Sequence, residues 1–317
     1  MSNVFAPLND FFDAIFVITL EGYEMRQQSI RENMNGLNFE FWFGTDKRKL
    51  DEAVLLDNTQ YDDESHQKIK RTHRSMSLSE YACACSHRSI YKHMVDNNLK
   101  RVLIFEDDAI PNEDELKNFS THIETLPDDW KVLLFDYYGA KYEDTKGRLK
   151  RQMYKLCHYL NISNWQNVSL SMINRMLMRP YNNHFYLAGR LSGAHAYSVT
   201  QDAAKYYLDY QHPIKLQADR LFYYCEGLDN EKIFACKKPM FLRGELSKVS
   251  SIQWNFRSDD AFIYAHQSSS DITNFVFEQR DNTSGDNFTF WFNDYRGSGS
   301  DSFPLHMRGD RLVVNYR

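Results

Sequence analysis

The chain has 317 residues, of which 42% are hydrophobic and 26% charged, a composition typical of one large globular domain or two ordinary ones. The formal net charge is −5, from 38 Lys and Arg against 43 Asp and Glu, which argues against nonspecific binding of DNA or RNA. Aromatic residues make up 15% of the chain, and we expect most of them in the core.

The sequence carries no signal for export or for a membrane span. No apolar run approaches the roughly 20 residues that a helix needs to cross a bilayer, and the first ten residues lack a basic segment followed by an apolar one. We therefore expect a cytoplasmic protein whose membrane contact, if any, is peripheral. The five scattered cysteines suit a reducing compartment better than a disulfide framework.

Short apolar runs alternate with helix-like stretches over the first 140 residues. This alternation predicts an α/β fold, with a mainly parallel sheet flanked by helices. The predicted strands are residues 14–20, 39–43, 101–105 and 131–135, which are short and rich in β-branched or aromatic side chains. The predicted helices are 23–34 and 77–97, and the second begins with a capping box formed by Ser77 and Glu80.

The second half of the chain is less regular. Residues 142–184 show no clear period, and they are either a long insertion near the binding face or an ordinary helical excursion. A strand over 191–199 and a helix over 201–210, with Thr200 as N-cap, follow. Strand-like runs at 274–278, 288–292 and 311–316 predict a β-rich C-terminal appendage. We expect a main domain over 1–260 and a β-rich segment over 261–317.

Polar residues follow each of the four predicted strands in the first half of the chain. In open α/β sheets, ligands bind at the carboxyl ends of the strands. We therefore expect one edge of the sheet to be the binding face, lined by Thr19, Asp46, Glu106, Asp107, Asp108 and Asp136.

Three consecutive carboxylates, Glu106, Asp107 and Asp108, end the third predicted strand. Such a triplet is self-repelling and loses solvation as a site closes, so a hard divalent cation such as Mg²⁺ or Mn²⁺ would stabilise it. A solvated acidic loop is the alternative. A second possible metal pair is Cys83 and His87, four residues apart on one helix face. No second Cys/His pair with ligand spacing follows it, so small buried cysteines are the favoured interpretation.

The segment Glu80-x-x-Cys83-x-x-Ser86-His87, followed by a strand and Glu106-Asp107-Asp108, resembles the glycosyltransferase family 25 pattern GE-x-GC-x-x-SH with a later EDD. The resemblance covers roughly residues 14–225. Its other similar segments are 17–20 with Arg26, 41–50 with Asp46, 193–198 with 203–205, and Asp219 after Pro213.

The resemblance implies a GT-A type, inverting hexosyltransferase that moves galactose or glucose from a UDP-sugar to a carbohydrate or glycoconjugate acceptor. The acceptor would be of lipooligosaccharide or glycoprotein type, and the new bond a β-glycosidic one. The implied cofactor is Mn²⁺ or Mg²⁺, which neutralises the departing diphosphate. Nucleic acid is not an expected partner.

The resemblance and the residue types together nominate the site residues. Glu106 and Asp108 are the candidates for the metal and for the ribose side of the nucleotide, with Asp108 favoured as the direct metal ligand. Asp107 either binds the nucleotide or orients its neighbours. The candidate phosphate contacts are Arg26 and His87, and the candidate nucleoside contacts are Thr19 and Asp46. The candidate catalytic base is Asp219, with Glu226 as its alternative. Arg26 could equally be a solvated helix charge, Asp46 a turn residue, and Asp219 a surface carboxylate.

Two other functions stay open from the sequence. One is a catalytically inactive carbohydrate-binding protein, and the other is a metal-dependent phosphodiester hydrolase. Several aromatic residues follow a predicted strand end or lie in the 142–184 segment, where their rings could stack on a sugar or a uracil. These are Tyr137, Tyr138, Tyr181, Phe185 and Tyr186.

Overall fold

The structure is a computed structural model that describes residues 3–70, 74–162, 165, 168–228 and 232–244, together with the backbone of four strands beyond residue 275. The chain forms two compact units, Met1–Ser247 and Lys248–Arg317. The expected bounds of the main domain, 1–260, and of the β-rich segment, 261–317, stay a prediction.

The first unit is built on an eight-stranded mixed sheet with the order β2-β1-β3-β8-β5-β9-β7-β6, accompanied by a β4–β10 pair. The strands in the described part of this unit are β1 Ala14–Thr19, β2 Glu40–Phe43, β3 Arg101–Glu106, β4 Ala109–Pro111, β5 Val132–Leu134, β6 Arg179–Pro180, β7 Phe185–Leu187, β8 Ala196–Thr200, β9 Ile233–Cys236 and β10 Phe241–Arg243.

Most strands of the large sheet run in one direction. β1 pairs in parallel with β2 and β3, and β5 pairs in parallel with β9. β8 is antiparallel to both β3 and β5, so those two strands share a direction on either side of it. The predicted mainly parallel sheet is confirmed, with β7 and β8 reversed. The carboxyl ends of β1, β2, β3 and β5 lie at one edge.

Helices cover both faces of the sheet, as the alternating pattern predicts. Those of the described residues are α1 Ala6–Phe11, α2 Glu24–Asn33, α3 Asp63–Lys70, α4 Leu78–Asp96, α5 Glu113–Leu116, α6 Phe119–Ile123, α7 Thr145–Tyr159, α8 Leu170–Asn174, α9 Gln201–Tyr210 and α10 Leu221–Tyr224.

The longest of these helices, α4, begins where the sequence predicts. The Ser77 side chain accepts from the backbone N–H of Glu80, and the Glu80 carboxylate accepts from the backbone N–H of Ser77. This reciprocal pair satisfies two of the N–H groups that every helix start leaves without intrahelical partners. The helix is therefore fixed at the end from which Cys83 and His87 project.

Two apolar cores lie on opposite faces of the sheet, because side chains alternate along a strand. In β3, Val102 and Ile104 join the core that includes α4 and α9. Leu103 and Phe105 join the other core, together with Leu8 of α1 and its neighbours. A residue's position in β3 therefore decides which helix layer its side chain meets.

The structure decides between the two interpretations of residues 142–184 and shortens one predicted strand. Residues 142–184 hold α7 and α8, so the interpretation as a helical excursion is confirmed. The strand predicted over 191–199 begins only at Ala196. Gly193 precedes it with a φ of 106°, a left-handed conformation that side-chain-bearing residues rarely adopt and that interrupts an extended chain.

The second unit contains a four-stranded antiparallel sheet with the order β11-β14-β13-β12. Its strands are β11 Val276–Glu278, β12 Thr289–Asn293, β13 Ser300–Arg308 and β14 Arg311–Val314. β11, β12 and β14 match the three predicted strand-like runs, although residues 274–275, 288 and 315–316 of those runs lie outside the described residues. β13 was not predicted, because its Asp, Ser and Pro content favours turns over strands.

Candidate functional site

The polar residues that follow the parallel strands meet at one edge of the large sheet. Thr19 ends β1, the acid triplet begins at the last residue of β3, and Asp136 lies two residues beyond β5. These strands share a direction, so their carboxyl ends form a common rim. The binding face expected from the sequence is therefore assembled by the fold.

Asp107 is the carboxylate of the triplet that the protein itself neutralises. Its Oδ2 accepts a hydrogen bond of 2.7 Å from the Thr19 hydroxyl, and its Oδ1 forms a 2.5 Å ion pair with Arg26 of α2. Asp107 and Thr19 are both buried. Both oxygens of Asp107 thus have protein partners, which favours an orienting role over direct contact with a ligand.

Glu106 faces the other side of the sheet, toward α4. Its backbone N–H donates to the His195 carbonyl oxygen, and its Oε1 lies 4.0 Å from His87 Nε2. Burial, then the carboxylates of Asp108, Asp107 and Asp219, raise the pKa of Glu106 above its ordinary value. Concentrated negative charge at this point would be relieved by a cation.

His87 is held rigidly in the interior beside Glu106. Its ring is 1% exposed and stacks on Tyr197, whose hydroxyl lies 2.8 Å from His87 Nδ1 and 2.7 Å from the Tyr91 hydroxyl. Burial lowers the pKa of His87 to about 4, so the imidazole is neutral near pH 7. Within the described residues, His87 Nε2 has no hydrogen-bond partner.

Cys83 completes a cluster with these two side chains. One ligand atom each of Cys83, His87 and Glu106 lie within 4.8 Å of one another. Cys83 and His87 share a face of α4, as their spacing predicts, and burial raises the pKa of the Cys83 thiol. The sequence offered no third ligand for this pair, because Glu106 reaches it only through the β3–α4 packing.

Asp108 differs from its two neighbours in its contacts. Its Oδ1 is buried and has no hydrogen-bond partner among the described residues. Its backbone carbonyl accepts from Gly244 N–H at 2.7 Å. Burial raises the pKa of Asp108, although Arg26 and His195 act in the opposite direction. A buried carboxylate oxygen with no partner among the described residues is available to a bound cation or to an ordered water.

Asp136 and His195 form an acid–base pair near Asp108 that the sequence analysis did not predict. Asp136 Oδ2 and His195 Nε2 are 2.5 Å apart, and both side chains are nearly buried. Asp136 was visible as a polar residue after a strand, and His195 as a polar residue within an apolar run. Their contact depends on β8 lying beside β5, which no local pattern indicates.

Asp219 lies on the same side as Glu106, in the short 3₁₀ segment Ala218–Arg220. Its Oδ2 accepts from the Gly193 N–H at 3.1 Å, and its Oδ1 lies 3.6 Å from Arg220 Nε. Its charge reaches Cys83, His87 and Glu106, since it raises the pKa of each. Asp219 therefore adds negative charge to the surroundings of the cluster, although it is not one of the three residues whose ligand atoms lie within 4.8 Å.

Glu226, the alternative base, lies beyond α10 and has an exposed side chain. Its backbone carbonyl accepts from the Tyr206 hydroxyl, and its charge acts on Cys225, Tyr206 and Arg175 rather than on the acid triplet. These contacts favour Asp219 over Glu226 as the carboxylate that belongs to the site.

Asp46 has a local structural task. It is the N-cap of the 3₁₀ segment Lys47–Lys49 and accepts hydrogen bonds from both the backbone and the guanidinium of Arg48. The Arg48 side chain, ahead of other contacts, lowers the pKa of Asp46. This geometry matches a turn residue. The nucleoside contacts of Asp46 and Thr19 and the phosphate contacts of Arg26 and His87 stay predictions.

Three of the aromatic residues expected beside the site differ in their surroundings. Phe185 is 1% exposed and belongs to a core, so its predicted ligand contact is wrong, because β7 turns its ring inward. Tyr181 packs on Phe234, with ring centroids 4.8 Å apart. Tyr138 differs, since the Arg243 guanidinium lies 4.3 Å from its ring and its backbone bridges to Ser192, next to Gly193.

A concavity of ≈ 940 Å³ lies away from these carboxylates. Its walls include Pro7, Arg101, Trp130 and Thr200. Arg101 begins β3 and Thr200 ends the reversed strand β8, so this concavity lies at the opposite edge of the sheet. This concavity therefore does not contain the clustered acid–base groups.

The mostly parallel sheet, its flanking helices and the acidic end of β3 are consistent with a GT-A-like fold. Comparison with protein families identifies the group more narrowly. The model of glycosyltransferase family 25, described as an LPS biosynthesis protein, matches residues 12–222. The chain belongs to this family, as the SH and EDD motifs predict, and glycosyltransferase activity in general is thereby supported.

A comparison with curated proteins and the character of the helices complete these findings. No curated protein matches the chain. Among the helices of the described residues, none combines the length and the apolar character that crossing a lipid bilayer requires.

Proposed function

We propose that the chain is an inverting transferase that moves a hexose, galactose in the first instance, from a UDP-sugar to a carbohydrate or glycoconjugate acceptor. The observation that carries this proposal is the grouping of Glu106, Asp108 and Asp219 at the rim of the sheet. Asp107 is neutralised by Thr19 and Arg26, which leaves its two neighbours for a ligand.

The residues at the rim suit a divalent cation. The buried, unpartnered Oδ1 of Asp108 is an oxygen ligand without a donor, and Glu106 carries a second carboxylate in a negatively charged setting. Hard cations such as Mn²⁺ and Mg²⁺ prefer such oxygens and keep positions for a diphosphate. When bound, the cation would stabilise the charge of the departing UDP.

The acceptor side needs a base that takes a hydroxyl proton during in-line attack on the anomeric carbon. Asp219 is our candidate, because one of its oxygens is fixed by Gly193 N–H and its charge reaches the Glu106 cluster. Arg220 Nε lies 3.6 Å from its other oxygen, so both carboxylate oxygens of Asp219 have neighbours that orient the side chain. Inversion places this group opposite the leaving diphosphate.

The donor is tested by measuring UDP release from UDP-galactose, UDP-glucose and their N-acetyl analogues, with Mn²⁺ and with EDTA. We expect metal-dependent turnover with UDP-galactose or UDP-glucose, which increases when a carbohydrate acceptor is added. Saturable donor binding without turnover for any acceptor would favour an inactive carbohydrate-binding protein. Hydrolysis of a simple phosphodiester at a higher rate than sugar transfer would favour the hydrolase.

A further inference from the structure

Helix α7 presents an apolar stripe to solvent. Leu149, Met153, Leu156 and Leu160, the last at the C-cap, follow one another at intervals of four, three and four residues, so they share a single face. Their exposed fractions are 74%, 51%, 56% and 58%. Exposed apolar residues scattered singly are ordinary, but a continuous stripe marks an interaction surface.

The opposite face of α7 is the one that anchors the helix to the protein. Tyr154 stacks on Trp165 with ring centroids 3.9 Å apart, and Arg151 forms a 2.6 Å ion pair with Glu143. Gly147 packs so closely against Leu177 that a Cβ at that position would meet its side chain at 2.7 Å. The helix is thus seated by one face, and the apolar stripe faces away from it.

Basic residues flank the stripe on both sides. At about 100° per residue, Lys146 and Lys150 follow the stripe directly on one side, and Arg148 and Lys155 lie farther round the helix on the other side. The helix sequence contains no Asp or Glu, although the whole chain carries a net charge of −5. Among the described residues, Lys146, Arg148 and Lys155 form no ion pair, and the Lys150 ammonium lies 5.5 Å from the centroid of the Tyr154 ring.

We propose that α7 is a binding surface for an anionic lipid bilayer, with the stripe of Leu149, Met153, Leu156 and Leu160 inserted and the flanking cations on lipid phosphates. An apolar face bordered by Lys and Arg is the pattern of helices that lie in the plane of a membrane surface. Charge complementarity favours this occupant, because two α7 helices that paired stripe on stripe would bring their own Lys and Arg flanks together, whereas lipid phosphates would neutralise those flanks.

Helix α7 is connected to the edge of the sheet that carries the acid triplet. The segment that leads into the helix leaves the carboxyl end of β5, the edge that carries Glu106 and Asp108. The proposed lipid-binding helix and the candidate site are thus joined by one short segment of chain, residues 135–144. The binding itself does not depend on the proposed transfer reaction, since it is measured without donor or acceptor.

The experiment is co-sedimentation of the full-length protein with phosphatidylcholine vesicles, with and without phosphatidylglycerol. We expect binding only to the anionic vesicles, weakened by salt because exposed charges are screened. Met153→Asp should weaken binding roughly tenfold or more, since it removes apolar insertion and adds a repelled charge. Met25→Asp is the matched control, because Met25 is 79% exposed on α2, away from α7, and should bind as the wild type does.

A second variant separates charge from apolar insertion. Lys146→Gln together with Lys150→Gln should weaken binding roughly 25-fold, at about fivefold for each charge. Circular dichroism spectra and melting of all variants establish that they are folded. Equal binding to neutral and anionic vesicles, or unchanged binding of Met153→Asp, would overturn the proposal. So would a dimer in solution that Met153→Asp dissociates, because the stripe would then be occupied by a second copy.

Discussion

Glu80 is a buried carboxylate that joins α4 to the segment carrying Asp219. Its oxygens accept from both terminal nitrogens of Arg74, at 2.9 and 2.7 Å, and from the backbone N–H of Ser77 at 2.8 Å. It also accepts from Gln217 Nε2 at 3.1 Å, one residue before the 3₁₀ segment that begins at Ala218. Loss of its charge should therefore loosen both the helix start and the neighbouring site.

The pKa of Glu80 measures the strength of this arrangement. Burial alone raises the pKa, but Arg74, Ser77 and Gln217 together outweigh it and set the value at about 2, against an ordinary 4.5. A difference of about 2.5 units corresponds to roughly 3 kcal/mol of stability. Because the folded-state pKa is depressed, this stabilisation is fully present above about pH 4.5 and is lost as the pH falls toward 2.

Replacing Glu80 with Gln keeps the shape of the side chain and removes the charge. We expect the free energy of unfolding to fall by about 3 kcal/mol near neutral pH, in line with the cost of breaking a buried ion pair. The difference between wild type and variant should shrink by about 2 kcal/mol at roughly pH 3, where the unfolded wild type has taken up its proton. Urea unfolding followed by circular dichroism at both pH values measures this difference.

Glu24→Gln is the control, since Glu24 is an exposed acid in the first turn of α2. It should change the free energy of unfolding by less than about 0.5 kcal/mol at either pH. A wild-type-minus-Glu80→Gln difference that stays constant between the two pH values would refute the reasoning, because a depressed carboxylate pKa requires that difference to depend on pH.

Two further predictions concern the rim of the sheet. Asp108→Ala should abolish Mn²⁺-dependent UDP binding in calorimetry while leaving the melting temperature nearly unchanged, and retained binding would show that Asp108 is not a ligand. Asp219→Asn should lower kcat by ~10²- to 10⁴-fold with little change in donor affinity, the range expected for general-base catalysis. Equal losses in kcat and in donor binding would reassign Asp219 to the donor side.

Much of the fold could be predicted because its signals are local. The apolar runs around β1 and β3 are short and continuous, which identifies buried strands, and the Ser77–Glu80 box marks the start of α4. The helix predicted over 201–210 matches α9 at both ends, although the Thr200 side chain makes no capping hydrogen bond. Local patterns thus place elements reliably where apolar periodicity and caps coincide.

Strand direction and strand order were harder to predict from the sequence, because they depend on contacts between distant segments. β8 reads as an ordinary buried strand, and nothing in its sequence indicates that it enters antiparallel between β3 and β5. That placement brings His195 to Asp136 and Tyr197 to His87. The partners of both histidines were therefore not predictable from spacing, although the site edge itself was.

The acid triplet shows how far strand geometry alone separates neighbouring residues. Side chains alternate across the sheet, so Phe105 and Asp107 point toward α2 while Ile104 and Glu106 point toward α4. The alternation explains why Arg26 and Thr19 reach only Asp107, and why Cys83 and His87 lie beside Glu106. The guanidinium of Arg26 in α2 therefore pairs with Asp107 in the triplet, which leaves Glu106 and the buried oxygen of Asp108 as the carboxylates that we propose for the cation.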